Sequence, residues 1–274
     1  MVEKIKLNNG VEIPSVGLGV FRLKDNVEAQ RVVETALAVG YKHIDTAMIY
    51  ENEEAVGRAI RASGIAREEV FITTKLWNDD QRSGKIEEAF AASLKRLNMD
   101  YIDLYLIHWP VAGKIQETWK KFEELYKSGR VRAIGVSNFQ ESHLMDLKKV
   151  SDLIPAVNQI ELHPYLTQQA DLDYCDREGI KVEAWSPFTA NLTGLLRENI
   201  LNDIAAKYSK SPAQVVLRWD YQRGIITIPK SANEGRMREN IDLFDFELTN
   251  EEVLKINSLN KNKRIGPNPA NVDF

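Results

Sequence analysis

The sequence predicts an α/β fold, a (β/α)8 TIM barrel with an N-terminal β-hairpin, and three observations carry the prediction. Short apolar or β-branched runs alternate with longer segments of helical period, the pattern of parallel strands joined by right-handed helical crossovers. There are eight such runs, enough to close a barrel within 274 residues. No linker, low-complexity tract or composition shift interrupts residues 1–274, so one domain is expected.

The hairpin is read from "KIKLNNGVEIP", where alternating residues flank Asn9-Gly10, a pair favoured in tight primed turns. The eight runs are "VGLG" (16–19), "HIDTA" (43–47), "VFITTKL" (70–76), "IDLYLIHW" (102–109), "RAIGVSN" (132–138), "AVNQIEL" (156–162), "KVEAWSPF" (181–188) and "IITIPKS" (225–231). Segments such as "VEAQRVVETALAVG" and "IQETWKKFEELYKSG" separate them. Gly40, Gly64, Gly129 and Gly179 stand where helices are expected to stop. After the last run, Ser231 and Glu234 match the S-x-x-E capping box, so a helix is expected to start at Ser231. Met237, Ile241 and Phe244 are spaced as its buried face, and Arg236 and Asn240 as another.

Composition excludes several function classes. A net charge of −4 argues against broad nucleic-acid binding. The single cysteine, Cys175, leaves no internal disulfide and reads as packing within a helix. No apolar run reaches membrane-spanning length, and "MVEKIKLNNG" lacks the apolar stretch of a signal peptide. A cytoplasmic monomer without membrane or nucleic-acid partners is expected. No metal-ligand spacing is present; His43, His143 and His163 read as structural, His43 at the non-catalytic end of its strand and His163 in a turn.

Polar residues gather at the strand ends: Asp45, Lys75, His108, Ser137, Asn138, Gln159, Ser186 and Lys230. In a barrel these converge on the C-terminal face, where active sites of this fold lie. Lys75 is costly to bury unless Asp45, on the adjacent strand, pairs with it. Tyr50 follows in the loop. A free phenol titrates near about 10, and a neighbouring ammonium is expected to lower that value and make Tyr50 a usable acid. His108 is placed to bond a substrate oxygen. Each residue also admits an ordinary role: an inert ion pair, a loop aromatic, a satisfied core histidine. Phe21, Met48, Trp77 and Trp109 follow the first four strands and are expected to line a pocket, with Trp185 on the seventh strand free to stack on a flat ring. Lys230 and Arg236 beside a helix N-terminus make an anion site or, equally, a solvated basic surface. Neither a G-x-G-x-x-G nor a G-K-[ST] loop is present, so a dinucleotide would be bound without either device.

The stretches "GYKHIDTAMIYENEEAVGRAI", "SGRVRAIGVSNF" and "IPKSANEGRMREN" give the chain a resemblance to the aldo-keto reductase family along nearly its whole length. It is most similar to the short microbial and protozoan members, the diketogulonate-, glyoxal- and prostaglandin F synthase-type reductases. The resemblance implies reduction of aldehydes, dicarbonyls and ketones with NADPH. It implies Asp45, Tyr50, Lys75 and His108 as the catalytic set, with Tyr50 as the proton donor. It implies Ser137, Asn138 and Gln159 at the nicotinamide amide, and Trp185 as the stacking ring where tyrosine is more usual. Lys230, Ser231 and Arg236 would hold the 2′-phosphate and Asn240 would lie near the adenine, with Gly19, Val20, Phe21, Asp45, Ser186 and Glu239 completing the cofactor set. The substrate pocket implied is Phe21, Met48, Tyr50, Trp77, His108 and Trp109. Phe21 stands where many members have tryptophan. The short "VAGK" connection and the short tail after Leu259 imply an open pocket, hence a generalist for small carbonyls such as methylglyoxal.

Overall fold

The computed structural model describes residues 2–272 and Phe274. Strands β1 (Lys4–Lys6) and β2 (Glu12–Pro14) pair antiparallel, Lys4 opposite Pro14. The turn between them differs from the expected two-residue form. Leu7 N–H donates to Val11 O at 2.8 Å and Gly10 N–H to Leu7 O at 3.0 Å, so three residues make the loop. Gly10 alone takes the left-handed conformation there (φ +87°), which matches a type I turn closed by a glycine bulge. The hairpin plugs the N-terminal end of the barrel. Leu7 and Ile13 pack against Phe71, Leu104, Ala133 and Ile226, and Asn8 and Asn9 donate to Pro155 O and Arg132 O at 3.0 and 2.9 Å.

Eight parallel strands follow in sequential order, as expected: β3 (Leu18–Gly19), β4 (His43–Asp45), β5 (Phe71–Leu76), β6 (Ile102–Ile107), β7 (Val131–Ser137), β8 (Val157–Glu161), β9 (Lys181–Trp185) and β10 (Ile226–Thr227). A parallel bridge between Val16 and Thr227 joins the two ends of the sheet, with Thr227 N–H on Ser15 O and Gly17 N–H on Thr227 O, both at 2.9 Å. The ladder stops before most of the expected runs do. Thr46 and Ala47, His108 and Trp109, and Ser186 to Phe188 lie beyond it, where the backbone turns outward at the mouth.

Successive side chains of a strand alternate between faces. His43 and Asp45 therefore share the barrel interior with Thr73 and Lys75, with Val157 and Gln159, and with Glu183 and Trp185. Phe71 and Leu104 lie low in the barrel, while Asp45, Lys75 and Gln159 lie towards its C-terminal end, with His43 the polar member placed low, level with Phe71. Outside, amphipathic helices cover the sheet. The Asn26–Val39 helix is capped by Asp25, whose carboxylate accepts from Val27 and Glu28 N–H, and ends on Gly40; it buries Val32, Val33 and Ala36. Cys175 is buried in the Gln169–Arg177 helix, as expected. Among the described residues no helix is long and apolar enough to cross a membrane.

The helix after β10 spans Glu234–Ile241, and here the expected cap is corrected. Asn233, not Ser231, is the N-cap, its side chain accepting from Arg236 N–H at 3.0 Å. Ser231 instead turns the chain into it, its Oγ accepting from Asn233 N–H at 3.2 Å. The two candidate caps stand two residues apart, and the shorter-range serine turn leaves asparagine at the helix boundary. Met237 is fully buried while Ile241 and Phe244 are only partly so. Asn240, expected on the same face as exposed Arg236, is itself buried.

Behind the closing seam, the Pro212–Gln222 helix buries Asp220, with Arg223 and Thr227 as the neighbours that favour its charged form. Burial pushes its pKa up to about 8, against the pull of Arg223. An unfolded aspartate loses its proton near about 4, so between that value and about 8 the folded state holds the extra proton and stability declines as pH rises. Asp220→Asn should therefore raise Tm by about 5 °C at pH 8 and by little at pH 4, as read by thermal denaturation. An equal shift at both pH values would show that Asp220 is not buried as a neutral acid.

Candidate active site

The mouth of the barrel is built on one ion pair. Lys75, at 0% exposure, donates to Asp45 Oδ1 at 2.6 Å and to Thr46 O at 2.9 Å. Burial opposes its charge, but Asp45, Tyr50 and Glu183 together raise the Lys75 pKa, so the ammonium persists. Burial pushes Asp45 the other way, above the usual carboxylate range, while Lys75 and Gln159 hold it back.

Tyr50 ends a one-turn helix, Met48–Tyr50, that follows β4, and Glu51 in the left-handed region stops it. This turn hangs the phenol over the ion pair, with Lys75 Nζ 5.1 Å from its ring centroid. The Tyr50 ring meets His108 edge-on at 5.6 Å and Phe21 at 5.0 Å. Burial raises the Tyr50 pKa above that of a free phenol, and the pull of Lys75 only partly offsets it. The expectation of a lowered value is thus overturned: the site withdraws the hydroxyl from water more than the ammonium favours phenolate. His108 is held far below its ordinary pKa, first by burial and then by Lys75, so its imidazole is neutral. Its Nδ1 is buried without a partner.

Aromatic side chains ring this centre. Trp77 packs edge-on against His108 at 5.2 Å, and Met48 Sδ accepts from Trp77 N–H at 3.3 Å. Phe21 is 54% exposed, whereas Trp109 is almost wholly buried. The tail, expected to leave the pocket open, crosses the mouth. Glu161 accepts from Ile265 and Gly266 N–H at 2.6 and 3.0 Å, and Phe274 lies on Trp77 at 5.9 Å and beside Trp109 at 5.5 Å. Gly266 sits so close to Trp185 that a Cβ there would come within 2.5 Å of the indole.

On the other side lie Ser137, Asn138, Gln159 and Trp185. Ser137 Oγ donates to Gln159 O at 2.9 Å. Asn138 donates to His108 O at 3.0 Å and accepts from Trp185 Nε1 at 2.8 Å, which ties the indole to the ends of β6 and β7. Gln159 Nε2 donates to Asp45 Oδ2 at 2.8 Å. Ser186 is left-handed (φ +54°) and ends the strand beyond Trp185. Gly19 N–H is 3.3 Å from Pro229 O. Val20 is buried, with its N–H on Asp45 O and its carbonyl accepting from Asn52.

Farther out, Lys230 and Arg236 are exposed and, among the described residues, neither has a carboxylate within 4.0 Å; Arg238, by contrast, pairs with Glu234 at 2.7 Å. Ser231 is buried between them and Glu239 is exposed. Asn240 lies against Tyr41. Two cations without partners beside a helix N-terminus are suited to a polyanion. The half-buried Trp185 ring and the strand-end amides suit a flat carboxamide-bearing ring. These residues fit an extended phosphorylated dinucleotide.

Sequence reading missed two interior groups, Thr73 and Glu183. Thr73 Oγ1 is 3.0 Å from His43 Nε2, and Glu183 Oε2 accepts from Gln159 Nε2 at 2.8 Å. Strand alternation held the signal, because Glu183 stands two residues before the inward-facing Trp185. His43 does lie towards the N-terminal end, but inside the barrel and within this polar column.

Comparison with known proteins agrees with the geometry. The model of the Aldo/keto reductase family matches residues 15–261. A glyoxal reductase of Bacillus subtilis is 54% identical over 99% of this chain and 98% of its own length. A methylglyoxal reductase, DkgA, of Escherichia coli is 45% identical over 97% of this chain and 96% of its own. A Bombyx mori aldo-keto reductase solved in complex with NADP superposes with a TM-score of 0.92 at 41% identity, over 97% of this chain and 95% of that one. With the family model spanning most of the barrel and relatives matched from end to end, the chain belongs to the aldo/keto reductase family.

Proposed function

We propose that this chain reduces small aldehydes, dicarbonyls and ketones to alcohols with NADPH, with Tyr50 as the general acid. One observation carries the reading: a fully buried ammonium, Lys75, lies beneath the phenol ring of Tyr50 at the mouth of the barrel. The relatives named for glyoxal and methylglyoxal, and the NADP complex, support the substrate class and the cofactor.

When bound, the reduced nicotinamide supplies the hydride. Trp185 offers its ring as a platform, and Ser137, Asn138 and Gln159 orient the carboxamide. Lys230, Ser231 and Arg236 hold the 2′-phosphate, the contact by which NADPH is preferred to NADH. Tyr50 Oη gives its proton to the carbonyl oxygen as the alcohol forms. Its raised pKa does not prevent this, since an alkoxide is far more basic than a phenolate. Lys75 then faces the phenolate left behind, Asp45 keeps Lys75 charged and in place, and solvent returns the proton. Neutral His108 adds a hydrogen bond to the carbonyl oxygen. Phe21, Met48, Trp77 and Trp109 form an apolar wall that suits small, polarised substrates. The barrel acts as one domain, as a cytoplasmic monomer.

Two measurements test the reading. Tyr50→Phe should lower kcat for methylglyoxal by about 10³-fold, the scale of a lost general acid, with the Kd for NADPH within about twofold of wild type. An active Phe variant would remove Tyr50 from the proton-transfer role, and a wild type that binds NADPH but turns over no carbonyl would favour a cofactor sensor. Arg236→Gln should raise the KM for NADPH by about tenfold, since a hydrogen bond to a charged group contributes about 1.5 kcal/mol or more. The KM for NADH should hardly move; equal losses for both cofactors would place the 2′-phosphate elsewhere.

A further inference from the structure

Glu183 has no part in the chemistry just described, yet it is fully buried directly under the site. Its Oε2 accepts from Gln159 Nε2 at 2.8 Å, and the same nitrogen donates to Asp45 Oδ2 at 2.8 Å. Both hydrogens of one amide are thus taken by two carboxyl groups from two different strands. Were the amide turned over, its carbonyl oxygen would face the Asp45 carboxylate that is paired with Lys75, an acceptor only, so the observed orientation is the one that satisfies the pair. In that orientation Gln159 Oε1 has no partner among the described residues and is not among the sealed, unpartnered atoms of the interior. It is the polar atom the side chain leaves free at the mouth.

We propose that Glu183 is a positioning residue: through its hydrogen bond it fixes the Gln159 amide so that Oε1 is presented to the carboxamide of a bound nicotinamide. The inference rests on the cofactor reading above. The protonation of the column agrees with it. Burial, reinforced by Asp45, pushes Glu183 up to about 8, so at neutral pH it carries its proton. Its other oxygen, Oε1, faces His43 Nε2 at 3.6 Å. His43, pushed down to about 3 by burial and Lys75, is neutral. Glu183 therefore holds Gln159 without placing a second negative charge beneath Asp45.

The test compares two probes by fluorescence titration: NADPH, and 2′-phospho-ADP-ribose, which lacks the nicotinamide. Glu183→Met removes the acceptor at similar volume; it should weaken NADPH by about tenfold and the ring-less probe by less than about twofold. Glu183→Gln retains an amide oxygen and should bind both probes within about threefold of wild type. In a Gln159→Leu background the effect of Glu183→Met on NADPH should vanish. Unchanged NADPH affinity in a folded Glu183→Met, or equal losses for both probes, would overturn the proposal. Should that variant not fold, Glu183→Gln decides: a preserved preference for NADPH over the ring-less probe supports the role, and its loss overturns it. A wild type that does not bind NADPH overturns the proposed function and this inference together.

Discussion

A fully buried ammonium sets the terms for the interior of this barrel. Removing Lys75 from water costs several kcal/mol, and only close, well-oriented partners offset that. The structure supplies a carboxylate at 2.6 Å and a backbone carbonyl at 2.9 Å. The neighbouring groups follow from the same constraint. His108 and His43 are forced neutral by burial and by the ammonium beside them. Glu183 is forced to keep a proton by burial and by Asp45. The column thereby pairs its ammonium with the Asp45 carboxylate, while burial works against charge on the two imidazoles and on Glu183.

The fold makes this arrangement inexpensive in backbone terms. Parallel strands place His43, Asp45, Thr73, Lys75, Gln159 and Glu183 in the interior by alternation alone. The ladder then ends just where the chemistry begins, which frees main-chain groups for use. Thr46 O, beyond β4, accepts from Lys75. Asn138, beyond β7, adopts φ +61° and sends its N–H to Gln159 O at 2.8 Å. Asparagine tolerates that left-handed backbone better than most residues, and the resulting corner aims its side chain at both His108 O and the Trp185 indole.

Much of this was legible in the sequence. The eight strands show in the period of the apolar runs, and the strand-end position of Asp45, Lys75 and His108 follows from that period. The Asp45–Lys75 pair follows from adjacency and opposite charge. What escaped depends on competition between local options or on depth. Ser231 and Asn233 are both good caps, and spacing favours the serine, but a serine turn leaves the asparagine at the helix start. Asn9-Gly10 suggests a primed turn, yet the register of Lys6 with Glu12 leaves room for a third loop residue. For Tyr50 the sign of the ammonium's effect was right and the outcome wrong, because burial, invisible in a string of letters, is the larger effect. Glu183 escaped because a lone glutamate in "KVEAW" resembles a solvated strand residue until the strand is seen to be buried.

The tail alters how the pocket selects. Loop length alone suggests an open mouth, but length does not say where a segment lies. Glu161, two residues beyond Gln159 and thus on the same interior face of β8, reaches up to pin Ile265 and Gly266. That contact lays the tail against the edge of Trp185, and farther along Phe274 covers Trp77 and Trp109. The pocket beside Tyr50 is therefore bordered by aromatic edges, and the ammonium beneath it is already paired with Asp45. A charged substrate would lose hydration there without a free counter-ion. In the proposed reading a small neutral carbonyl loses little there, and its oxygen would meet the Tyr50 hydroxyl and the His108 imidazole. In the proposed reading, then, selection for small uncharged carbonyls arises from the buried ion pair as much as from the shape of the wall, because pairing Lys75 with Asp45 denies that lysine to any incoming anion.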